Sequence, residues 1–267
     1  MSASDCTVVR GENMKASSSQ LVSDWHEFIS VLANLSHNCG HRLWFRGQRD
    51  YDWKLLPSIR RDVYNRPGVE QYMATNFMVE TRRRMQNTPN AYERASWLEL
   101  MQHYGLPTRL LDWSASPLIA LYFALCKESA TDSALWVLDP QSLNSWMQMG
   151  PYLYPMDYKT MEPFWNGAFD ENKDIRSEKI VACTGIGHDL RMYVQQSSFT
   201  VHDTEKQSLD ELLGTVDFLW KIRIPRERRT FFLDTLQIMG IHKSTIFPDM
   251  EHIAEEQRTR FAKDSLS

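Results

Sequence analysis

The sequence predicts one α+β domain built on a mixed sheet, with helices mostly early and strands mostly late. Apolar residues recur at helical spacing at Leu21, Trp25, Phe28, Ile29, Leu32 and Leu35, and helical patterns return over 69–86 and 92–104. In contrast, 216–224 sets Phe218, Trp220, Ile222 and Ile224 against Leu219, Lys221 and Arg223, the two-residue period of a strand. The length supports a sizeable core: 267 residues, 42% hydrophobic and 24% charged. No internal repeat is present, so these patterns read as a single domain.

In chain order, residues 1–18 are small and polar without apolar periodicity and read as a disordered leader, leaving 19–267 as the domain. The first helix follows, with Ser19 or Ser23 available as a cap, and ends near His37 before the turn Asn38-Cys39-Gly40. The aromatic run 43–48 reads as a strand. The helices over 69–86 and 92–104 are separated by the breaker Asn87-Thr88-Pro89-Asn90. Residues 102–117 pack a loop, a short apolar run and a helix start together. Ser116 as N-cap and Pro117 at the first helical position predict a helix over 118–126.

Ala134 to Leu138 reads as a buried strand. Residues 139–175, rich in Pro, Met and aromatics, read as an insertion or lid. Strands are expected over 179–183, 191–202 and 216–224. A helix over 228–239 stops at Gly240, and 246–250 leads into a polar C-terminal helix.

Charge and cysteine usage narrow the function classes. With 34 acidic against 30 basic side chains, a formal net charge of −4 argues against general nucleic-acid binding. The most apolar stretch, 117–126, is about half the length a bilayer span requires. The N-terminus lacks the apolar region of a secretory signal, so a cytoplasmic protein without a membrane partner is expected. Cys6, Cys39, Cys126 and Cys183 are too scattered for a disulfide framework or a zinc site, and no metal is expected.

Three clusters place polar groups where strands end or helices begin, positions that collect ligands. In Arg46-Gly47-Gln48-Arg49, a guanidinium offers a donor fork for phosphate or carboxylate and a bare backbone admits a flat ring. The same residues also fit a turn in which Arg46 pairs with Asp50, and both readings stand. In the second cluster, Thr108, Arg109, Asp112, Trp113, Ser114 and Ser116 lie among leucines. Buried Leu110 and Leu111 would force Arg109 and Asp112 either to pair or to face a cleft. His103 and Tyr104 are acid/base or stacking candidates beside it. In the third, Gln195 and Gln196 on a strand would point to opposite faces. Arg82-Arg83-Arg84 and Arg226, Arg228, Arg229 read as solvated helix faces.

Together these segments resemble the FRG domain family. The resemblance rests on Trp44-Phe45-Arg46-Gly47-Gln48, then Gln102-His103-Tyr104-Gly105-Leu106-Pro107-Thr108-Arg109-Leu110-Leu111-Asp112-Trp113, and Ser116-Pro117-Leu118 with Ala120-Leu121-Tyr122-Phe123-Ala124. Gln195-Gln196, Phe199-Thr200 and Thr245-Ile246-Phe247-Pro248-Asp249 extend it over roughly 43–251. Such proteins are bacterial or phage-associated, which implies a toxin or defence setting. The FRG pattern looks like a remote relative of the ADP-ribosyltransferase fold, which implies NAD as substrate and a macromolecule or water as acceptor. By that similarity Arg46, Ser114 and Gln195 would be catalytic. Gly47, Gln48, His103, Tyr104, Thr108, Arg109, Asp112, Trp113 and Gln196 would surround the nucleotide. Gln195 or Gln196 would occupy the place of that fold's strand Glu, and a neutral amide keeps the hydrogen bond but loses the charge that steadies a ribosyl cation. Either Glu178, Asp249 or Glu251 supplies the acid, or transfer is slow, or the domain is a noncatalytic nucleotide- or protein-binding module.

Overall fold

In the computed structural model residues 20–264 are described, apart from 65, 171, 173–176, 188–189 and 204–206. The leader expected over 1–18 lies outside the described residues. The strands are β1 (Gln20–Leu21), β2 (Trp44–Gln48), β3 (Leu110–Ser114), β4 (Ser133–Leu138), β5 (Tyr154–Pro155), β6 (Ile180–Thr184), β7 (Ser197–His202) and β8 (Leu219–Ile224). They form one mixed sheet in the order β1-β8-β4-β2-β3-β7-β6-β5, parallel at β1–β8 and β5–β6 and antiparallel elsewhere.

The helices are α1 (Trp25–Cys39), α2 (Val69–Arg84), α3 (Arg94–His103), α4 (Pro117–Leu125), α5 (Pro140–Trp146), α6 (Glu162–Asn166), α7 (Leu190–Val194), α8 (Leu209–Leu213), α9 (Arg229–Ile238), α10 (Lys243–Ile246) and α11 (Met250–Asp264). Helices and strands alternate through most of the chain, apart from the consecutive α2–α3 and the closing α9–α11, which corrects the early-helix, late-strand layout. The short strand β3 lies inside a segment without two-residue alternation, because Leu110, Leu111 and Trp113 are buried on both faces of the sheet. None of the helices among the described residues is long and apolar enough to cross a membrane.

Local chemistry explains the helix starts. Asp24 caps α1, its carboxylate accepting from the Glu27 amide at 2.8 Å, while Glu27 accepts from the Ser23 amide at 2.7 Å. The cap is thus Asp24, and Leu21 belongs to β1 instead of the helix. Ser116 caps α4 with Pro117 at its first position, as expected.

Apolar packing divides the molecule in a way that positions the site. On one face of the sheet, α1, α4 and α9 bring Phe28, Leu121, Leu125 and Phe232 onto Phe45, Leu135 and Ile222. Also covering the sheet, α3 and α6 bring Trp97, Leu98, Met101 and Trp165 onto Leu110, Val181, Phe199 and Val201 as a separate cluster. A third cluster joins Trp44, Trp113 and Trp136 to Leu143 of α5 and Leu209 of α8. Residues 139–175, expected as an insertion or lid, contribute fully buried Met156, Met161 and Ala168 to the α3–α6 cluster and Leu143 to the third.

The seam between the first two clusters coincides with a weak junction in the sheet. β2 pairs with β4 from Trp44↔Leu138 to Gln48↔Ala134, and β3 pairs with β7 from Leu110↔Val201 to Ser114↔Ser197. Between β2 and β3 the register is Phe45↔Ser114 alone. Past that pair the two strands part.

Candidate functional site

A cleft of about 820 Å³ opens at this junction, within the size of small-molecule and cofactor sites, roughly 300–1,000 Å³. α3 contributes Glu99, Gln102 and His103 to its walls, and α4 contributes Ala120, Tyr122 and Phe123. Phe45 to Arg49 and Asp112 to Ser114 come from the parting strands, while Lys243, Phe247 and His252 close it from the C-terminal segment.

Its charge is opposite to that of the whole chain. Arg46, Arg49, Arg61, Lys127, Arg191 and Lys243 line it, against the carboxylates Glu99 and Asp112. Arg46 Nη1 donates to the Asp112 carbonyl at 2.6 Å and stands 3.7 Å from the Asp112 carboxylate. Arg46 Nε is shielded from solvent and has no hydrogen-bond partner among the described residues. Burial pushes the Arg46 guanidinium below its ordinary pKa, opposed by Asp112 and reinforced by Arg61. A cation held this way gains from an anion placed beside it.

Of the residues expected from the sequence, Arg46, Ser114, Gln195, Gly47, Gln48, His103, Asp112 and Trp113 line this cleft. Several are already committed to the protein. Ser114 Oγ donates to the Gln195 carbonyl at 2.7 Å and accepts from the Ser116 amide at 3.0 Å, clamping the turn before β7. Gln195 Nε2 donates to the Ile246 carbonyl at 3.2 Å, tying the closing segment to that turn. Gln48 donates to the Lys54 carbonyl at 3.1 Å and accepts from Trp136 at 2.7 Å. Trp113 donates to Thr200 Oγ1 at 3.1 Å. Gly47 is required by α4: a Cβ there would stand 1.9 Å from the Ala120 carbonyl oxygen and 2.5 Å from the Ala124 amide nitrogen. The close approach is therefore by a helix backbone, where the sequence suggested a ring.

Four expected residues do not line the cleft. Arg109 is fully buried, with Nε 3.0 Å and Nη2 2.8 Å from the two Glu70 oxygens, and Nη1 3.0 Å from the Phe164 carbonyl and 3.5 Å from Asp203. Pairing within the core, the alternative open in the sequence, is its fate. Thr108 Oγ1 donates to Gln102 and accepts from the Leu110 amide. Tyr104 is largely exposed, its ring against His103. Gln196 has φ of 49° in the turn after α7, and its carbonyl accepts from the Ala115 amide at 3.1 Å. The strand expected over 191–202 is thus a short helix, a left-handed turn and then β7, so Gln195 and Gln196 do not lie on opposite strand faces. Their β-favouring neighbours Tyr193 and Val194 disguised that turn.

The acids suggested by sequence also lie elsewhere. Glu178 and Glu251 are exposed, and neither lines the cleft. Asp249 caps α11, accepting from the His252 amide at 3.0 Å, and that bond, outweighing some burial, holds its carboxyl below the usual range. The carboxylate that sequence reading missed is Glu99, which is 2% exposed and accepts from the Ile186 amide at 2.9 Å. Its signal was the helical spacing of Glu99, Gln102 and His103, which gives them one helix face. Phe247 of the closing segment also lines the cleft. Its ring stacks on His252 at 4.7 Å, with the Arg191 guanidinium 4.6 Å away. Among the described residues no group of three or more His, Cys, Asp or Glu is placed to hold a metal ion.

Comparison with known proteins gives one family. Neither the curated proteins nor the solved structures contain a match to this chain. The FRG domain model matches residues 41–133. That stretch runs from β2 through α4 to the start of β4 and holds Arg46, Glu99, Gln102, Asp112 and Ser114. The β2–β3 junction and both helical walls of the cleft accordingly lie inside the segment over which this chain is similar to the FRG domain.

Proposed function

We propose that the cleft binds NAD, cleaves its nicotinamide–ribose bond and passes ADP-ribose to a macromolecule or to water. The observation that carries this reading is the half-buried, incompletely paired Arg46 guanidinium, whose shielded Nε has no partner among the described residues, in a cleft whose cations outnumber its carboxylates. Guanidinium groups match the paired oxygens of a pyrophosphate in geometry and charge. Tyr122, Phe123 and Phe247 give the same cleft apolar ring surface on which a base stacks. Gln102 keeps the anchor in place by donating to the Asp112 carboxylate at 2.7 Å, while the Asp112 carbonyl holds Arg46. The resemblance of the FRG pattern to ADP-ribosyltransferases selects NAD among nucleotides.

Purified protein incubated with NAD and candidate acceptors is expected to release nicotinamide, and Arg46→Ala to abolish the release. Equal release from the two proteins sinks the reading. The commitment of Ser114 and Gln195 to the turn and the closing segment favours a second reading, a nucleotide-binding module without turnover. Calorimetry separates the two, since NAD binding without nicotinamide release favours the module and absence of binding removes both.

A further inference from the structure

We infer that Glu99 is the catalytic carboxylate of this cleft, facing the ribosyl carbon as nicotinamide leaves, an assignment that rests on the NAD-cleaving reading above. Three features of the structure support it.

The first is burial without isolation from the cleft. Glu99 is 2% exposed yet lines the cavity, whereas the other lining carboxylate, Asp112, has a side chain 53% exposed and already bonded to Gln102. A carboxylate kept from water acts on a nearby cation through a lower effective dielectric than a solvated one.

Space for it is the second. A Cβ at Gly185 would fall 2.7 Å from Glu99 Oε1, 3.1 Å from Phe199 and 3.2 Å from Met192. The absence of a side chain there leaves the carboxylate room between two apolar groups, and the Ile186 amide holds one oxygen at 2.9 Å.

The third is its connection to the anion anchor. Glu99 and Gln102 stand three residues apart on α3, Gln102 bonds Asp112 at 2.7 Å, and the Asp112 carbonyl receives Arg46 at 2.6 Å. One helix face thus carries the negative charge and fixes the positive one. NAD has the matching polarity, with an anionic pyrophosphate and a cationic nicotinamide ring.

In the step itself, the bond between the anomeric carbon and the ring nitrogen breaks and its electron pair stays on nitrogen. Nicotinamide leaves neutral, and the positive charge passes to the ribosyl carbon opposite Glu99. An acceptor oxygen then bonds to that carbon and gives its proton to solvent. The carboxylate is unchanged at the end.

The test compares Glu99→Gln with wild type, because the amide oxygen can still accept from Ile186 while the charge is gone. Nicotinamide release should fall about 10²-fold or more in kcat, with NAD affinity by calorimetry changed no more than a few-fold and Tm unchanged. Undiminished release from folded Glu99→Gln overturns the assignment and leaves the NAD reading standing. Absence of release from wild type overturns both. Should Glu99→Gln not fold, Glu99→Asp keeps the charge but draws it back by one methylene and should lose about 10-fold or more in kcat; full activity in that variant overturns the assignment.

Discussion

Arg46 and Arg109 stand in neighbouring parts of the sheet, one in β2 and one just before β3, and their surroundings are opposites. Arg109 is enclosed by Glu70, Asp203 and the Phe164 carbonyl, each placed to match a guanidinium edge. Arg46 is half-buried with one carbonyl bonded, a more distant carboxylate and an unmatched Nε. Both charges are drawn from water on folding, and only that of Arg109 is fully matched by the protein. The difference separates a group that holds the fold from one suited to an external anion.

The sharpest way to break this contrast is to remove each arginine in turn. Arg109→Ala leaves Glu70 and Asp203 buried without their cation and should cost about 3–5 kcal/mol in urea denaturation. Arg46→Ala removes a cation that the protein matches poorly and should cost no more than about 1 kcal/mol, with its damage appearing in NAD binding. Similar losses of stability from the two would erase the distinction.

Acid offers a second probe of the same region. His202 is fully buried, and burial, followed by the nearby Arg60 and Arg46, lowers its pKa from 6.5 to about 3. The unfolded chain therefore takes up a proton near 6.5 that the folded chain refuses until about 3. Stability contributed by neutral His202 is complete above the unfolded value and declines as pH falls through that window, by up to about 1.4 kcal/mol per pH unit. His202→Gln should flatten this part of the stability–pH curve; an unchanged curve would place the proton elsewhere.

A smaller effect than that of Arg109→Ala, and one confined to stability, concerns Ser114, which lines the cleft but bonds to the chain. Ser114→Ala should lower stability by about 1–2 kcal/mol through the lost bonds to Gln195 and Ser116, with NAD affinity nearly unchanged. A large loss of affinity with stability retained would move Ser114 from the turn to the ligand.

The motif residues were legible because their types are unusual where they stand. Arg46-Gly47 in an aromatic strand and Asp112-Trp113-Ser114 before a capped helix both pointed to the neighbourhood in which the cleft opens. Glu99 was only partly legible: its spacing sets it on one helix face with Gln102 and His103, but a glutamate in a helix ordinarily faces water and the local sequence does not mark that face as buried. The turn at Gln195-Gln196 was hidden for a related reason: β-favouring residues run through 191–202, and only the bonds from Ser114 and Ala115 fix the break.

The sequence by itself determined where α1 and α4 run, which residues form β2, β4 and β8, and which short motifs crowd the region around Arg46. These follow from local periodicity and capping, which act over a few residues. Only the tertiary structure decided that β2 and β3 part after one pair, that Arg109 is saturated while Arg46 is not, and that Gly47 yields to a helix. Each of those outcomes depends on the pairing of groups distant in the chain, and a charge reveals whether it is compensated only once its neighbours are in place.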